Sequence, residues 1–90
     1  MKNQYSYDEI QSAILNGHHE IQITYKNQLY WILIGKKCFF GDIDGNISLH
    51  FLSPHELISA ILVDGKRLIE MWNDVEVESY EGGWNRTENL

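Results

Sequence analysis

The residues most able to do chemistry in this chain are separate acids and histidines, and they form no ordered catalytic motif. Residues 42–46 read Asp-Ile-Asp-Gly-Asn, and carboxylates at alternate positions can direct their oxygens at one calcium ion. The calcium-binding helix–loop–helix also needs a glycine at its sixth position and a glutamate at its twelfth. This chain has Ile47 and Ser53 there. We therefore predict a plain hairpin turn at 42–46 and no metal site.

The histidines and the single cysteine give no stronger indication of an active site. His18 and His19 are adjacent, and neighbouring side chains of an extended segment point in opposite directions, so one zinc ion rarely binds both. Cys38 precedes two phenylalanines, a setting typical of a small buried hydrophobic residue rather than a reactive thiolate. The chain lacks the Gly-x-Ser-x-Gly and His-Glu-x-x-His patterns. The sequence thus favours a non-enzymatic protein without a cofactor.

Acidic and aromatic residues near the end of the chain indicate a contact surface instead. Carboxylates recur between residues 70 and 81, and two large aromatic residues lie beside them. Such a cluster can speed association with a basic partner, and tyrosine and tryptophan are frequent interface anchors. The alternative is a solvated sheet edge whose charges prevent self-pairing. The partner-binding residues that we predict are Tyr30, Trp72, Asp74, Glu76, Glu78, Tyr80 and Trp84.

A second group of aromatic residues lies in the middle of the chain, between residues 25 and 51. If Trp31 faces one side of a sheet, then Tyr30 faces the other, and a single layer of helices covers only one side. The uncovered side would invite a partner. Alternatively, the rings fill both sides of a small core. Single-stranded RNA platforms also carry aromatic residues on a sheet, but they interleave Lys and Arg, which are few here.

Composition narrows the classes of partner and the number of domains. The chain has seven Lys plus Arg and 13 Asp plus Glu, which gives a net charge of −6. This negative charge disfavours nucleic acid and anionic membranes as partners. A chain of 90 residues predicts a single domain over 1–90, with a compact part at about 6–80 and a polar tail at 81–90. No apolar run approaches the roughly 20 residues of a membrane span, and no signal segment opens the chain. We therefore expect a cytoplasmic protein.

Helix signals occur at two capping boxes. Ser6 and Glu9 can cap a helix over 7–16, with Ile10 and Ile14 on its inner face. Ser-Pro-His-Glu at 53–56 predicts a second helix over 53–62, with proline at its first position. Its predicted inner face is formed by Leu57, Ile58, Ile61 and Leu62. Asp64 is a candidate cap for a third short helix over 66–73, although this segment fits the helical and strand periods equally poorly.

Alternation of apolar and polar residues predicts the strands. Residues 20–52 read as a four-strand antiparallel meander, in which the stretch 29–34 is apolar on both faces and suggests a central strand buried on two sides. Residues 74–80 predict a final strand at a sheet edge. The order α-β-β-β-β-α-α-β predicts an α+β fold. Its antiparallel sheet has four to five strands, and two or three helices pack mainly on one face.

These observations favour a non-enzymatic, small acidic protein–protein interaction domain of the binding, inhibitor or immunity type. Its partner would be another protein, a basic one in particular, or a second copy of the chain in a homodimer. The alternative is a small-ligand-binding or enzymatic domain with a pocket between the sheet and helix 53–62. In that case His50, His55 and Tyr30 are the candidate polar groups.

Overall fold

The computed structural model describes residues 5–82, which form a five-stranded antiparallel sheet with three helices. The elements, in chain order, are α1 (Tyr7–Leu15), β1 (His19–Tyr25), β2 (Gln28–Ile34), β3 (Cys38–Asp42), β4 (Ser48–Phe51), α2 (Pro54–Ser59), α3 (Leu68–Met71), a 3-10 turn (Trp72–Asp74) and β5 (Val75–Gly82). Across the sheet the strand order is β4-β3-β2-β1-β5. The predicted α+β fold and its order of helices and strands are confirmed.

Helix α1 begins where its capping box predicts. The Ser6 hydroxyl accepts a hydrogen bond from the Glu9 backbone N–H at 3.1 Å, and the Glu9 carboxylate accepts one from the Ser6 backbone N–H at 2.8 Å. These bonds satisfy two backbone donors that the first turn of a helix leaves unpaired. Ile10 and Ile14 are fully buried, so this helix packs on the sheet with the predicted face.

Helix α2 is shorter than predicted, and the chain after it is not helical. The helix ends at Ser59, Ala60 is extended, and Ile61 is 56% exposed rather than directed inward. Asp64 and Gly65 both have positive φ, at 56° and 71°, the geometry of a tight hairpin turn. Their neighbours pair across this turn, because the Lys66 N–H donates to the Val63 carbonyl at 2.9 Å. The preference of Asp-Gly for a tight turn therefore overrides the helical spacing of the apolar residues. Asp64 lies in this turn and does not cap α3.

Residues 68–73 form the short helix α3 and most of the 3-10 turn after it, so the helix begins two residues later than predicted. The Glu70 carboxylate accepts a hydrogen bond from the Arg67 backbone N–H at 2.8 Å. Leu68 and Met71 are fully buried, and Ile69 points outward at 49% exposure. A helix of one turn has little intrinsic stability, so tertiary burial of these two side chains holds it in place.

The two faces of the sheet differ in what covers them. On the helix-covered face the central side chains are buried, and Tyr30 of β2 stacks on Phe40 of β3 with ring centroids 5.2 Å apart. The buried helix residues join this same core. The opposite face, called here the open face, has no described helix over it. The open face carries Glu20, Gln22, Thr24, Leu29, Trp31, Leu33, Phe39, Gly41, Ser48, His50, Glu76, Glu78, Ser79 and Glu81.

The prediction that the stretch 29–34 is buried on both faces is therefore wrong in one detail. Strand β2 is central in the sheet, but the described residues bury it on one side only. Tyr30, Ile32 and Ile34 are buried, whereas its alternate residues are half-buried. The apolar run at 29–34 thus contributes one row of side chains to the core and one row to the open face.

Strand β5 lies at the edge of the sheet, as its charged residues predicted. The pairing with β1 shifts between Gln22 and Ile23, where Ser79 and Val77 are the partners, so Glu78 is the extra residue of a β-bulge. The Thr24 hydroxyl donates to the Glu78 carboxylate at 2.8 Å. This contact holds the bulged residue on the open face.

Candidate functional site

The predicted partner-binding residues do not form one surface. Tyr30 is 5% exposed and Trp72 is 7% exposed, so both contribute to core packing. The Trp72 indole N–H donates to the Tyr5 backbone carbonyl at 2.9 Å, and its ring meets Tyr7 edge-on at 6.1 Å. Trp84 lies outside the described residues.

The predicted acids and Tyr80 are divided between the two sides of β5. Glu76 and Glu78 lie on the open face, where Glu76 pairs across the sheet with Thr24. Asp74 precedes the strand in the 3-10 turn. Tyr80 pairs with Ile21 and so lies on the helix-covered face. Glu20 of β1 pairs with Glu81. Glu20 therefore lies beside the acids of β5, although it is not among the predicted partner-binding residues.

An apolar stripe runs along β2 and β3 on the open face, beside these acids. Leu33 pairs with Phe39, and Trp31 pairs with Gly41. The Ile43 backbone N–H donates to the Leu29 carbonyl at 3.1 Å, so Ile43 extends the stripe, and it is 56% exposed. We define the apolar stripe as Leu29, Trp31, Leu33, Phe39 and Ile43.

The stripe and the acids give the open face two chemically distinct halves. The half formed by β1 and β5 carries Glu20, Glu76, Glu78 and Glu81, named here the acidic strip. At the far side of the stripe, the Phe39 ring contacts the His50 ring with centroids 5.1 Å apart. A face of this kind matches a partner whose apolar surface is bordered on one side by cations.

The period-two pattern of β2 already indicated the row of apolar residues that forms most of the apolar stripe. Leu29, Trp31 and Leu33 alternate with Tyr30, Ile32 and Ile34, but the pattern does not say which row the helices cover. The predicted partner-binding residues include Tyr30 and not Trp31, and the structure places these two residues on opposite faces. Ile43 follows the last residue of β3, but the period-two spacing from Phe39 through Gly41 already predicted it in the same row as Phe39.

The acids of the turn at 42–46 and the thiol of Cys38 have structural roles. The Asp42 carboxylate accepts a hydrogen bond from the Ile47 backbone N–H at 3.2 Å, and the Asp44 carboxylate accepts one from the Gln28 side chain at 3.3 Å. Cys38 is 1% exposed in the core. Within residues 5–82 no group of three or more His, Cys, Asp or Glu side chains is arranged to hold a metal ion.

The polar groups suggested for a ligand pocket under α2 do not converge. Tyr30 lies in the core, whereas His50 lies on the open face and His55 is exposed in α2. Leu57 of α2 is fully buried. A cavity among the described residues lies elsewhere, between α1 and Tyr80.

His19 is a buried titratable group beside α1. Its side chain is 3% exposed and its ring meets the Tyr80 ring edge-on at 5.4 Å. Burial lowers the pKa of His19, because the imidazolium loses hydration, and the nearby His18 lowers it further. The backbone of Ala13 opposes this shift.

The lowered pKa predicts a pH-dependent stability. The unfolded state takes up the proton first, so the free energy of unfolding should fall as the pH drops below about 6.5. Urea unfolding at pH 7.5 and pH 5.0 measures this loss. The free energy of unfolding of His19→Leu should fall less than that of the native protein. The control His55→Gln should lose as much as the native protein. An equal loss in the native protein and His19→Leu would contradict the prediction.

No helix among the described residues is long and apolar enough to cross a membrane. Comparison with known proteins found no matching family model, no matching curated protein and no matching solved structure.

Proposed function

We propose that this protein is a non-enzymatic interaction domain that binds a basic protein partner through its open face. The observation that supports this most is the apolar stripe lying beside the acidic strip on one continuous sheet surface. A hydrogen-bonded sheet holds both halves in a fixed arrangement, so binding would require little ordering of the surface.

Each half of the open face has its own role in the proposal. Trp31 lies on the central strand with Phe39 on the neighbouring one, and aromatic anchors near the centre of an interface carry much of its binding energy. Glu76 and Glu78 lie at the sheet edge, where charges chiefly raise the rate of encounter with a basic protein. The net charge of −6 has the same sign and adds to this attraction.

The test is affinity capture from a nuclease-treated lysate of the native cells, with the bound proteins identified by mass spectrometry. The native chain should retain a stoichiometric basic protein, and Ile43→Lys should lose it, because a charge then enters the apolar stripe. Ile69→Lys makes the same change at 49% exposure on α3 and should retain the partner. Sedimentation of the purified chain checks whether the partner is a second copy.

Kinetics with the captured partner separates the two halves. Glu76→Lys combined with Glu78→Lys should slow association on the order of tenfold at low salt, and the effect should fade as salt screens the charges. Trp31→Ala should instead speed dissociation, with a loss of roughly 2 kcal/mol in binding. Retention of the same partner by every open-face variant, or capture of no basic protein, would overturn the proposal, and so would association only with a second copy, which carries the same net charge of −6.

A further inference from the structure

A groove of about 790 Å³ lies between α1 and the end of β5, on the side of the sheet opposite the open face. One flank of α1, from Asp8 to Asn16, forms one wall, and Tyr5 and Tyr80 form the rest. Eight helical steps at about 1.5 Å each make that wall about 12 Å long. This length matches roughly four residues of extended peptide at about 3.3 Å each.

The aromatic part of the groove is preformed. Tyr5 and Tyr80 are stacked with centroids 5.4 Å apart and planes 26° from parallel. The His19 ring packs edge-on against Tyr80 at 5.4 Å. Burial raises the pKa of Tyr80, with a further contribution from Tyr5, so the hydroxyl of Tyr80 is neutral near pH 7. A neutral tyrosine ring is the kind of surface on which a guanidinium or ammonium group can stack.

The charge of the groove selects the sign of its ligand. Among the described residues that line it, Asp8 and Glu9 are the charged ones, and none is Lys, Arg or His. Glu9 is held in position, because its carboxylate accepts the Ser6 backbone N–H at 2.8 Å. Carboxylates beside aromatic faces attract organic cations and repel anions.

We propose that this groove binds a short extended peptide segment by taking its Arg or Lys side chain between the tyrosine pair and the carboxylates of α1. The bound peptide lies along α1, and its cationic side chain lies over the first turn of the helix. This site is separate from the open face and does not depend on the proposed function.

The test is a nuclear magnetic resonance titration of the full chain with acetyl-Ala-Ala-Arg-Ala-amide. Saturable amide shifts are expected at Ser12, Ala13 and Tyr80, and peptides with Gln or Glu in place of Arg should not produce them. Acetyl-arginine-amide alone should bind more weakly than the peptide. If this single residue binds as tightly as the peptide, the groove is a site for free organic cations and the peptide proposal is overturned.

Two isosteric variants test the role of charge. Asp8→Asn and Glu9→Gln should each weaken binding roughly fivefold, because each removes one carboxylate charge. Gln can still form the capping box, so Glu9→Gln should leave α1 intact. Glu56 is the matched control: it occupies the same position in α2 and accepts the Leu52 backbone N–H at 2.9 Å. Glu56→Gln should bind the peptide as the native chain does.

A third variant keeps the proposal falsifiable if the isosteric ones alter folding. Ser12 is exposed on the groove wall, and Ser12→Lys places an ammonium group inside the groove while favouring the helix. Binding should be lost while the unfolding temperature stays within about 2 °C of the native value, since exposed helix substitutions change stability little. No saturable shift with the native chain, or shifts that Ser12→Lys leaves unchanged, would overturn the proposal.

Discussion

Replacing Gly41 with alanine should destabilise the protein by about 3 kcal/mol, the upper range for overpacking a well-filled site. A Cβ atom at this position would collide with the ring of Phe39 and lie 2.5 Å from the backbone oxygen of Ile47. The ring could rotate away, but the Ile47 oxygen is fixed, because it accepts a hydrogen bond from the Asp42 N–H at 3.0 Å. Relief of the collision would therefore disturb the connection between β3 and β4.

Urea unfolding of Gly41→Ala measures this cost, and Gly35→Ala is its control. At Gly35 the nearest atom to a new Cβ is the Lys37 oxygen, at 3.8 Å, which is an ordinary contact. That substitution should change the free energy of unfolding by no more than about 0.5 kcal/mol. Equal effects of the two substitutions would mean that the Phe39 ring and the Ile47 carbonyl do not close over Gly41.

Local sequence signals predicted the fold well where a single short-range interaction decides the structure. Ser6 and Glu9 specify the start of α1 through two hydrogen bonds within four residues. The polar turn after β1 also needs only local chemistry, because Lys26 and Asn27 both have positive φ in the tight connection to β2. Prediction failed after Ser59, where a helical spacing of apolar residues competed with the Asp-Gly turn at 64–65.

The candidate site was harder to predict because it depends on long-range packing. The sequence shows that Tyr30 and Trp31 face opposite ways, but only the docking of the helices decides that Tyr30 is buried and Trp31 is not. The bulge at Glu78 also depends on long-range contacts, because it forms where β5 pairs with β1. It shifts the alternation of β5, so Tyr80 lies on the helix-covered face although Glu76 and Glu78 share the open one.

The adjacent residues Phe39 and Phe40 should differ strongly in their contribution to stability. Phe40→Ala should cost about 4 kcal/mol, because Phe40 is fully buried and its removal leaves a cavity beside the stacked ring of Tyr30. Phe39 is half-buried on the open face and contacts His50 and Gly41. Phe39→Ala should therefore cost only about 1 kcal/mol.

Urea unfolding of these two variants tests whether the open face is uncovered in the free protein, which the proposed interaction surface requires. Phe39→Ala has the same chemistry as Phe40→Ala at the next residue of the same strand, so strand propensity largely cancels in the comparison. A loss near 4 kcal/mol for both would mean that the free chain buries Phe39 as fully as Phe40. The apolar stripe would then be part of the core, and a partner could not bind there without displacing whatever covers it. A difference of about 3 kcal/mol would mean that Phe39 is not part of the core, as the proposed interaction surface requires.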